Sequence, residues 1–190
     1  KEIKIIGDKS LSKRDFSRVT NPLATFGAKI VSNKKKLPVR IKGSEFLRPI
    51  IFNEKLGSAQ CKSSVMLAAI KTPGKTIIKA KKSRNHTELI FKYLNIPIKV
   101  SRKKNYDFIE IDGPVNFRAF DYKIPGDISS SSFFLVLTLL TNKSKLLIKN
   151  VNVNKSRTGI IEILNKMNAK ILLKNKKTHN GEDVADIFVK

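Results

Sequence analysis

An internal repeat is the feature of this sequence that most limits how the chain can fold. The segment GSAQCKSSVMLAAIKTPGKTIIKA (57–80) aligns with GDISSSSFFLVLTLLTNKSKLLIKN (126–150), so that residue 57 matches residue 126 at an offset of 69. The strand-like segments LPVRIKG (37–43), FIEIDG (108–113) and ADIFVK (185–190) close three successive units. Self-similarity at a fixed period indicates one supersecondary module that recurs along the chain.

Each unit contains two helical patterns with strand patterns after them. The first helix of the second unit carries a nearly continuous apolar run from Val65 to Ile70, which predicts a helix buried on most sides. The second helices fall within 83–100 and 155–173, where apolar residues recur at helical spacing, and 10–30 plays the same part in the first unit. Together with alternating strands, these patterns predict an α/β fold of repeated βαβαββ-type modules, with buried helices and outer mixed sheets.

The composition excludes several classes of protein. Apolar residues make up 41% of the 190 residues, which is too many for a disordered chain. No apolar run approaches the ~18 residues that a membrane span needs. One Cys cannot form an internal disulfide, and one Cys with two His does not suggest a zinc site. We therefore expect a cytoplasmic protein with no metal and no membrane partner.

The net charge of +24 raises the question of a nucleic-acid partner. Three basic clusters, at 34–36, 102–104 and 174–177, fall between the last two strands of their units. We predict that they are hairpin tips, where solvated charge is common, and nothing places them on one face studded with aromatic residues. We expect no nucleic-acid partner, but a basic nucleic-acid-binding module stays open as an alternative of a different class.

Several ordered motifs give the chain a family resemblance over its whole length. They are GDKSLSKRDFSRV, GSAQCKSS, SRNHTE, PGDISSSSFF, NKSRTG and GEDVADIFVK. With these motifs the sequence closely resembles the EPSP synthases, or 3-phosphoshikimate 1-carboxyvinyltransferases. The resemblance implies part of the two-domain enolpyruvyl transferase architecture, an inside-out α/β barrel. Residues 1–124 would form most of the first domain, and 125–190 would form the first module of the second.

The family's reaction moves the enolpyruvyl group of phosphoenolpyruvate to the 5-hydroxyl of shikimate 3-phosphate and releases phosphate, on the route to chorismate and aromatic amino acids. It needs no cofactor, and the resemblance implies a monomeric enzyme when complete. The chain lacks an initiator Met and opens at what reads as the end of a strand. We therefore expect an interior fragment that lacks the catalytic acid–base segments, holds no catalytic residue and is inactive alone.

The resemblance assigns the S-A-Q segment to substrate binding. Ser58 is predicted to be the N-cap of a buried helix, so that its hydroxyl and the following N–H groups point to where an anion would lie. By resemblance Ser58, Ala59 and Gln60 bind shikimate 3-phosphate, and Gln60 also touches phosphoenolpyruvate. Cys61 lies inside the helix and is expected to be a small core residue. This context differs from that of the reactive Cys in UDP-N-acetylglucosamine enolpyruvyl transferases, which share the fold and remain an alternative.

Two arginines complete the implied anion site. Arg84, with help from Ser83, would reach the phosphate of shikimate 3-phosphate, and Arg14 would bind phosphoenolpyruvate, since a guanidinium forms paired hydrogen bonds to such groups. The sequence departs from the family pattern beside both of them. Asn85 stands where the class often has Asp, and Asp15 follows Arg14 where the pattern has Pro.

Three further polar residues near these motifs are interpreted as structural. His86 is expected to be a hydrogen-bonded structural residue. Asp127 is predicted to cap or brace the helix that follows it. Arg157 is predicted to hold the start of its own helix.

Overall fold

A computed structural model describes residues 2–190 of the chain. They form two compact units, and from here on the word unit refers to these and the word module to the sequence repeat. The first unit comprises the residues up to Ser83 together with Asn95–Phe117, and the second comprises Arg84–Leu94 and Arg118–Lys190. The second unit therefore includes a helix that precedes residue 95, and the predicted domain boundary near Pro125 stays a prediction.

The first unit holds most of the strands. Its strands are β1 (Glu2–Ile5), β2 (Lys29–Asn33), β3 (Lys36–Lys42), β4 (Ile51–Glu54), β5 (Gly74–Lys81), β6 (Ile98–Arg102) and β7 (Tyr106–Gly113), and its helices are α1 (Ser17–Thr25) and α2 (Ala59–Ala69). A 3-10 turn, Leu11–Lys13, precedes α1. The second unit contains α3 (His86–Tyr93), α4 (Ile128–Leu140), β8 (Leu146–Asn152), α5 (Gly159–Lys166), β9 (Ile171–His179) and β10 (Glu182–Val189). No helix in residues 2–190 is long and apolar enough to cross a membrane.

The three sheets repeat one strand order. They run β1-β3-β2, β5-β7-β6 and β8-β10-β9, so the closing strand of each module lies in the middle of its sheet. These neighbours are antiparallel, whereas β4 joins β5 in parallel, and Gly126 makes a parallel bridge to Val151 of β8. The common order confirms the predicted repeat.

Each unit has its own apolar core. In the first unit, α2 packs against β4, β5 and β7. The fully buried apolar residues of this unit include Val39, Val65, Met66, Ala69, Ile78, Ile109 and Ile111. In the second unit, the buried cluster consists of Ile128, Leu135, Val151, Ile161, Ile187 and Val189. The helix α4 buries one face there, while Phe133, Phe134 and Leu140 on its other faces are 78%, 60% and 80% exposed.

One prediction about the basic clusters is wrong. Lys34 and Lys35 lie in the β2–β3 turn, and residues 103–104 in the β6–β7 turn, as expected. The cluster 174–177 instead lies inside β9, because the β9–β10 hairpin turns later, at Asn180-Gly181, where both residues have positive φ (49° and 82°). An Asn-Gly pair suits such a two-residue turn. The lysines of β9 are therefore exposed strand residues.

The start of α4 is stabilised from two sides. The Asp127 carboxylate accepts a hydrogen bond from the Ser130 N–H at 3.1 Å, which confirms the predicted cap. The Arg157 guanidinium contacts Asp127 at 3.0 Å and Ser129 Oγ at 2.5 Å. Arg157 thus holds the start of α4 and not of its own helix, so that prediction is wrong. Burial raises the pKa of Asp127, but hydrogen bonds from Ser130 and Ser129 and the charge of Arg157 outweigh it, and the pKa lies below its usual value.

Gly113, which ends β7, and Gly43, which follows the equivalent strand β3, give a direct test of the packing. A Cβ on Gly113 would lie 2.3 Å from the Ala69 carbonyl oxygen and 2.4 Å from that of Thr72, whereas a Cβ on Gly43 would meet nothing within 4 Å. Because backbone atoms at the end of α2 cannot move aside cheaply, Gly113→Ala should destabilise the protein by about 3 kcal/mol. Gly43→Ala is the matched control and should change the unfolding free energy by less than ~0.5 kcal/mol. Denaturant unfolding measures both, and equal values would contradict this packing.

The Asp127 cap predicts a pH-dependent loss of stability. Asp127→Ala should cost about 1 kcal/mol at neutral pH, the usual value of an N-cap. Because the folded-state pKa of Asp127 is lowered, its contribution is present above the ordinary value of 3.8 and is lost as pH falls through the folded-state pKa. The difference from wild type should therefore shrink below about pH 4. Thr158 caps α5 without a side-chain hydrogen bond, so Thr158→Ala is the control and should show a smaller, pH-independent change.

Candidate functional site

The start of α2 presents unpaired backbone donors. Ser58 is the N-cap, with an extended backbone, and its Oγ accepts a hydrogen bond from the Cys61 N–H at 3.3 Å. This confirms the predicted cap. The N–H groups of Ala59 and Gln60 have no acceptor within residues 2–190. Such donors, together with the positive end of the helix dipole, favour a bound anion.

The turn before α2 is organised by a buried carboxylate that the sequence reading missed. Glu54, the last residue of β4, is 2% exposed. Its carboxylate accepts hydrogen bonds from the N–H groups of Leu56, Gly57 and Ser58 at 2.9, 2.8 and 3.1 Å. A Glu four residues before a predicted N-cap is the signal that could have pointed to it.

The loops that carry Ser58 and Ser83 leave the same edge of a sheet. Because β4 and β5 are parallel, with Glu54 opposite Ala80, their carboxyl ends lie together. A Cβ on Gly57 would be 3.5 Å from the Lys82 carbonyl oxygen, so the two loops are neighbours. The Ser83 hydroxyl is buried and has no hydrogen-bond partner in the described part of the chain. An unpaired buried hydroxyl beside a helix start is a donor that a ligand could satisfy.

A cleft of about 590 Å³ in the first unit brings Arg14 and Gln60 together. Arg14 ends the 3-10 turn in an extended conformation, and Gln60 lies in the first turn of α2. The remaining lining residues are Leu11, Asp15, Phe16, Arg18 and Val19. Arg18 was missed by the sequence reading, although a second Arg in the first turn of the helix after Arg14 was visible there. Two guanidinium groups and an amide in one cleft suit a carboxylate or a phosphate.

The unusual Asp15 does not neutralise Arg14. Its carboxylate accepts a hydrogen bond from the Ser17 N–H at 2.6 Å. Hydrogen bonds from the Ser17 side chain and N–H lower the pKa of Asp15, and the charges of Lys35 and Arg18 add to this. Within residues 2–190, no ion pair joins Asp15 to Arg14. Asp15 therefore braces the start of α1.

Arg84 lies two residues before the start of α3, in the second unit. The next residue, Asn85, accepts hydrogen bonds through its side-chain oxygen from Asn154 Nδ2 at 2.9 Å and from Ser156 Oγ at 3.2 Å. The departure at Asn85 thus serves a hydrogen-bond network that anchors the segment carrying Arg84.

The same network includes a buried glutamate. His86 Nδ1 lies 2.6 Å from Glu182 Oε1, and Glu182 is 3% exposed. The second oxygen of Glu182 accepts hydrogen bonds from Asn152 at 3.1 Å and Asn154 at 3.2 Å. His86 is therefore a hydrogen-bonded structural residue, as predicted.

Cys61 is buried, with 5% of its surface exposed. Burial raises the pKa of its thiol, and the charge of Glu54 acts in the same direction, so the reactive thiolate is disfavoured. This confirms Cys61 as a core residue. Among residues 2–190, no group of three or more His, Cys, Asp or Glu could hold a metal ion.

Comparison with known proteins supplies the family. A family model described as EPSP synthase (3-phosphoshikimate 1-carboxyvinyltransferase) matches residues 1–188. The 3-phosphoshikimate 1-carboxyvinyltransferase of Caldicellulosiruptor bescii is 41% identical over 98% of this chain and 43% of that protein. That of Petrotoga mobilis is 39% identical over the same shares. The chain therefore spans about 43% of the length of these relatives.

Solved structures agree in fold. EPSP synthase from Acinetobacter baumannii superposes with a TM-score of 0.83 at 33% identity, over 100% of this chain and 42% of that one. The enolpyruvyl transferase NikO from Streptomyces tendae, at 14% identity and a TM-score of 0.63, shares the fold alone. The predicted α/β enolpyruvyl transferase fold is thereby confirmed. With a family model that matches nearly every residue, this chain belongs to the EPSP synthase (3-phosphoshikimate 1-carboxyvinyltransferase) family.

Proposed function

We propose that the protein containing these residues transfers the enolpyruvyl group of phosphoenolpyruvate to the 5-hydroxyl of shikimate 3-phosphate and releases phosphate, without a cofactor. The observation that most supports this is the cleft in which Arg14 and Gln60 meet beside the start of α2. Residue by residue, these are the groups that the family pattern assigns to substrate. Both substrates carry several negative charges, which match guanidinium groups and unpaired N–H groups.

Shikimate 3-phosphate is assigned to the S-A-Q and Ser83-Arg84 segments. The Ser58 hydroxyl already accepts a hydrogen bond from Cys61 and keeps its own proton for a ligand. The N–H groups of Ala59 and Gln60 add two donors, and the unpaired Ser83 hydroxyl adds another. Arg84 would contribute the cation that a phosphate dianion requires.

Phosphoenolpyruvate is assigned to the cleft with Arg14 and Gln60, and Arg18 would add a second cation there. Fixing both anions holds the attacking hydroxyl against the enolpyruvyl carbon and lowers the entropic cost of their encounter. The chain's own residues would bind and orient the substrates. We assign no proton transfer to any of them.

Two alternative functions can be compared with this one. A UDP-N-acetylglucosamine enolpyruvyl transferase is disfavoured because Cys61 is buried inside α2. A nucleic-acid-binding module would require a steep loss of oligonucleotide affinity with rising salt concentration. A cytoplasmic location, the absence of a nucleic-acid partner and a monomeric state stay predictions.

The decisive experiment is steady-state phosphate release by the protein expressed from its complete reading frame. Arg14→Ala should raise the KM for phosphoenolpyruvate about 10- to 100-fold, the scale of a lost hydrogen bond to a charged group. The KM for shikimate 3-phosphate should change much less. Arg14→Lys should restore only part of the loss, because an ammonium lacks the paired geometry of a guanidinium.

Arg40→Ala is the matched control for Arg14. Arg40 lies on β3 of the same unit and pairs at the surface with Glu2 at 2.9 Å. Its removal should leave both KM values within about twofold, since exposed pairs contribute little. An Arg14→Ala enzyme with an unchanged KM for phosphoenolpyruvate would exclude Arg14 from the site, and absence of phosphate release by wild type would refute the function.

Arg84→Ala should chiefly weaken the binding of shikimate 3-phosphate, by about 2–5 kcal/mol, as expected for truncating one partner of a desolvated charge pair. Isothermal titration calorimetry measures this. Asn85→Asp is the companion variant, because an Asp keeps the acceptor for Asn154 and Ser156. It should bind within about threefold of wild type. Wild-type affinity in Arg84→Ala would remove Arg84 from the substrate site.

A further inference from the structure

The turn that leads into α2 is built around the carboxylate of Glu54. Its two oxygens accept three hydrogen bonds from the consecutive N–H groups of Leu56, Gly57 and Ser58, at 2.8 to 3.1 Å. Glu54 is 2% exposed, so the contacts are shielded from water. No substrate role is assigned to Glu54 by the motif that follows it.

Consecutive N–H groups that converge on one point form a concave anion site. Here the protein fills that site with its own side chain. Gly57 has a φ of 71°, in the left-handed region that a residue with a side chain rarely adopts. The carboxylate therefore holds a turn conformation that the backbone alone would populate only in part.

The turn sets the geometry of the donors beyond it. The Ser58 hydroxyl oxygen accepts a hydrogen bond from the Cys61 N–H, and the Ser58 N–H donates one to the Glu54 carboxylate. Both the side chain and the backbone of Ser58 are therefore held in place. The N–H groups left without an acceptor in residues 2–190 at this helix start are those of Ala59 and Gln60. Their direction follows from the position of Ser58.

We propose that Glu54 is a positioning residue, which holds the turn at 56–58 so that the Ser58 hydroxyl and the N–H groups of Ala59 and Gln60 are pre-aligned for the phosphorylated substrate. The identity of that ligand, shikimate 3-phosphate, rests on the proposed function. The ordering of the turn does not, because it depends on contacts within the first unit alone.

Electrostatic repulsion of the substrate by Glu54 would act against binding, and an experiment distinguishes this effect from positioning. A carboxylate near an anion site repels the anion, so its neutralisation would tighten binding if charge alone mattered. Glu54→Gln removes the charge at almost constant shape, but turns one acceptor into an NH2 group that faces a backbone N–H. Positioning thus predicts weaker binding, and repulsion predicts tighter binding.

The test measures binding of shikimate 3-phosphate by calorimetry and amide hydrogen exchange in the protein from its complete reading frame. Glu54→Gln should raise the Kd about 10- to 100-fold, the range expected when binding groups are misplaced by about 1 Å. Exchange at 56–60 should accelerate. Glu54→Asp keeps the charge but is shorter, and should fall between wild type and Glu54→Gln.

Glu110→Gln is the matched control, since Glu110 lies in the same unit and forms a partly exposed pair with Lys75 at 3.5 Å. Its Kd and its exchange at 56–60 should equal those of wild type. A steady-state comparison adds a further readout, because Glu54→Gln should raise the KM for shikimate 3-phosphate more than that for phosphoenolpyruvate.

An unchanged or lower Kd in Glu54→Gln would overturn the proposal. If that variant does not fold, Gly57→Ala tests the same turn: its Cβ has ordinary contacts, but its φ is strained, and an unchanged Kd would again overturn the proposal. If wild type does not bind shikimate 3-phosphate, the proposed function fails. Amide hydrogen exchange at 56–60 then still tests whether Glu54 orders the turn, since unchanged exchange rates in Glu54→Gln would refute that role.

Discussion

The closing strand of each module must lie between two others, and most of the structure depends on this constraint. β3, β7 and β10 each pair on both edges, so their inward residues, such as Val39, Ile109 and Ile187, have no exposed surface. A strand in this position needs both a preceding strand and a hairpin partner. In each module the chain that links those two strands passes from one outer strand of the sheet to the other, and the same strand order recurs three times.

That order also determines where the candidate site lies. The first strand of the second module, β5, is at one side of β7 and is therefore free to accept β4 in parallel on its other edge. Parallel strands place their carboxyl ends together, and polar loops at such an edge are where α/β sheets usually bind ligands. Ser58 and Ser83, which are far apart in sequence, become neighbours through this pairing. The donors of α2 are added at the same place because α2 begins five residues after β4 ends.

Local patterns predicted those features that local physics controls. The caps Ser58 and Asp127 and the buried Cys61 follow from short-range rules about polar residues at helix starts and small residues inside helices. Short-range rules do not predict which residue a long side chain will contact. Arg157 reaches α4, which begins some thirty positions earlier, and no spacing rule selects Asp127 over a closer acceptor.

The wrong prediction for the third lysine cluster has the same origin. The lysines at 174–177 were assigned to a hairpin tip because charge favours solvent, but an exposed edge strand is equally solvated, and the Asn180-Gly181 turn decides between the two. The grouping of α3 with the second unit likewise involves contacts that are distant in sequence, because Asn85 accepts a hydrogen bond from Asn154 and His86 contacts Glu182. Periodicity predicts a helix and its buried face, and carries no information about which sheet covers that face.

The distribution of acidic residues links these observations to the proposed role of Glu54. The chain has 39 basic and 15 acidic residues, and most of the excess charge lies on solvated surfaces, where a Lys costs little. Glu54 and Glu182 are buried carboxylates, and each accepts several hydrogen bonds at a loop that leads into a helix. A buried carboxylate is tolerated only when donors surround it. Because removal of the acceptor would leave those donors unpaired, each of these glutamates holds its loop far more strongly than a surface ion pair could.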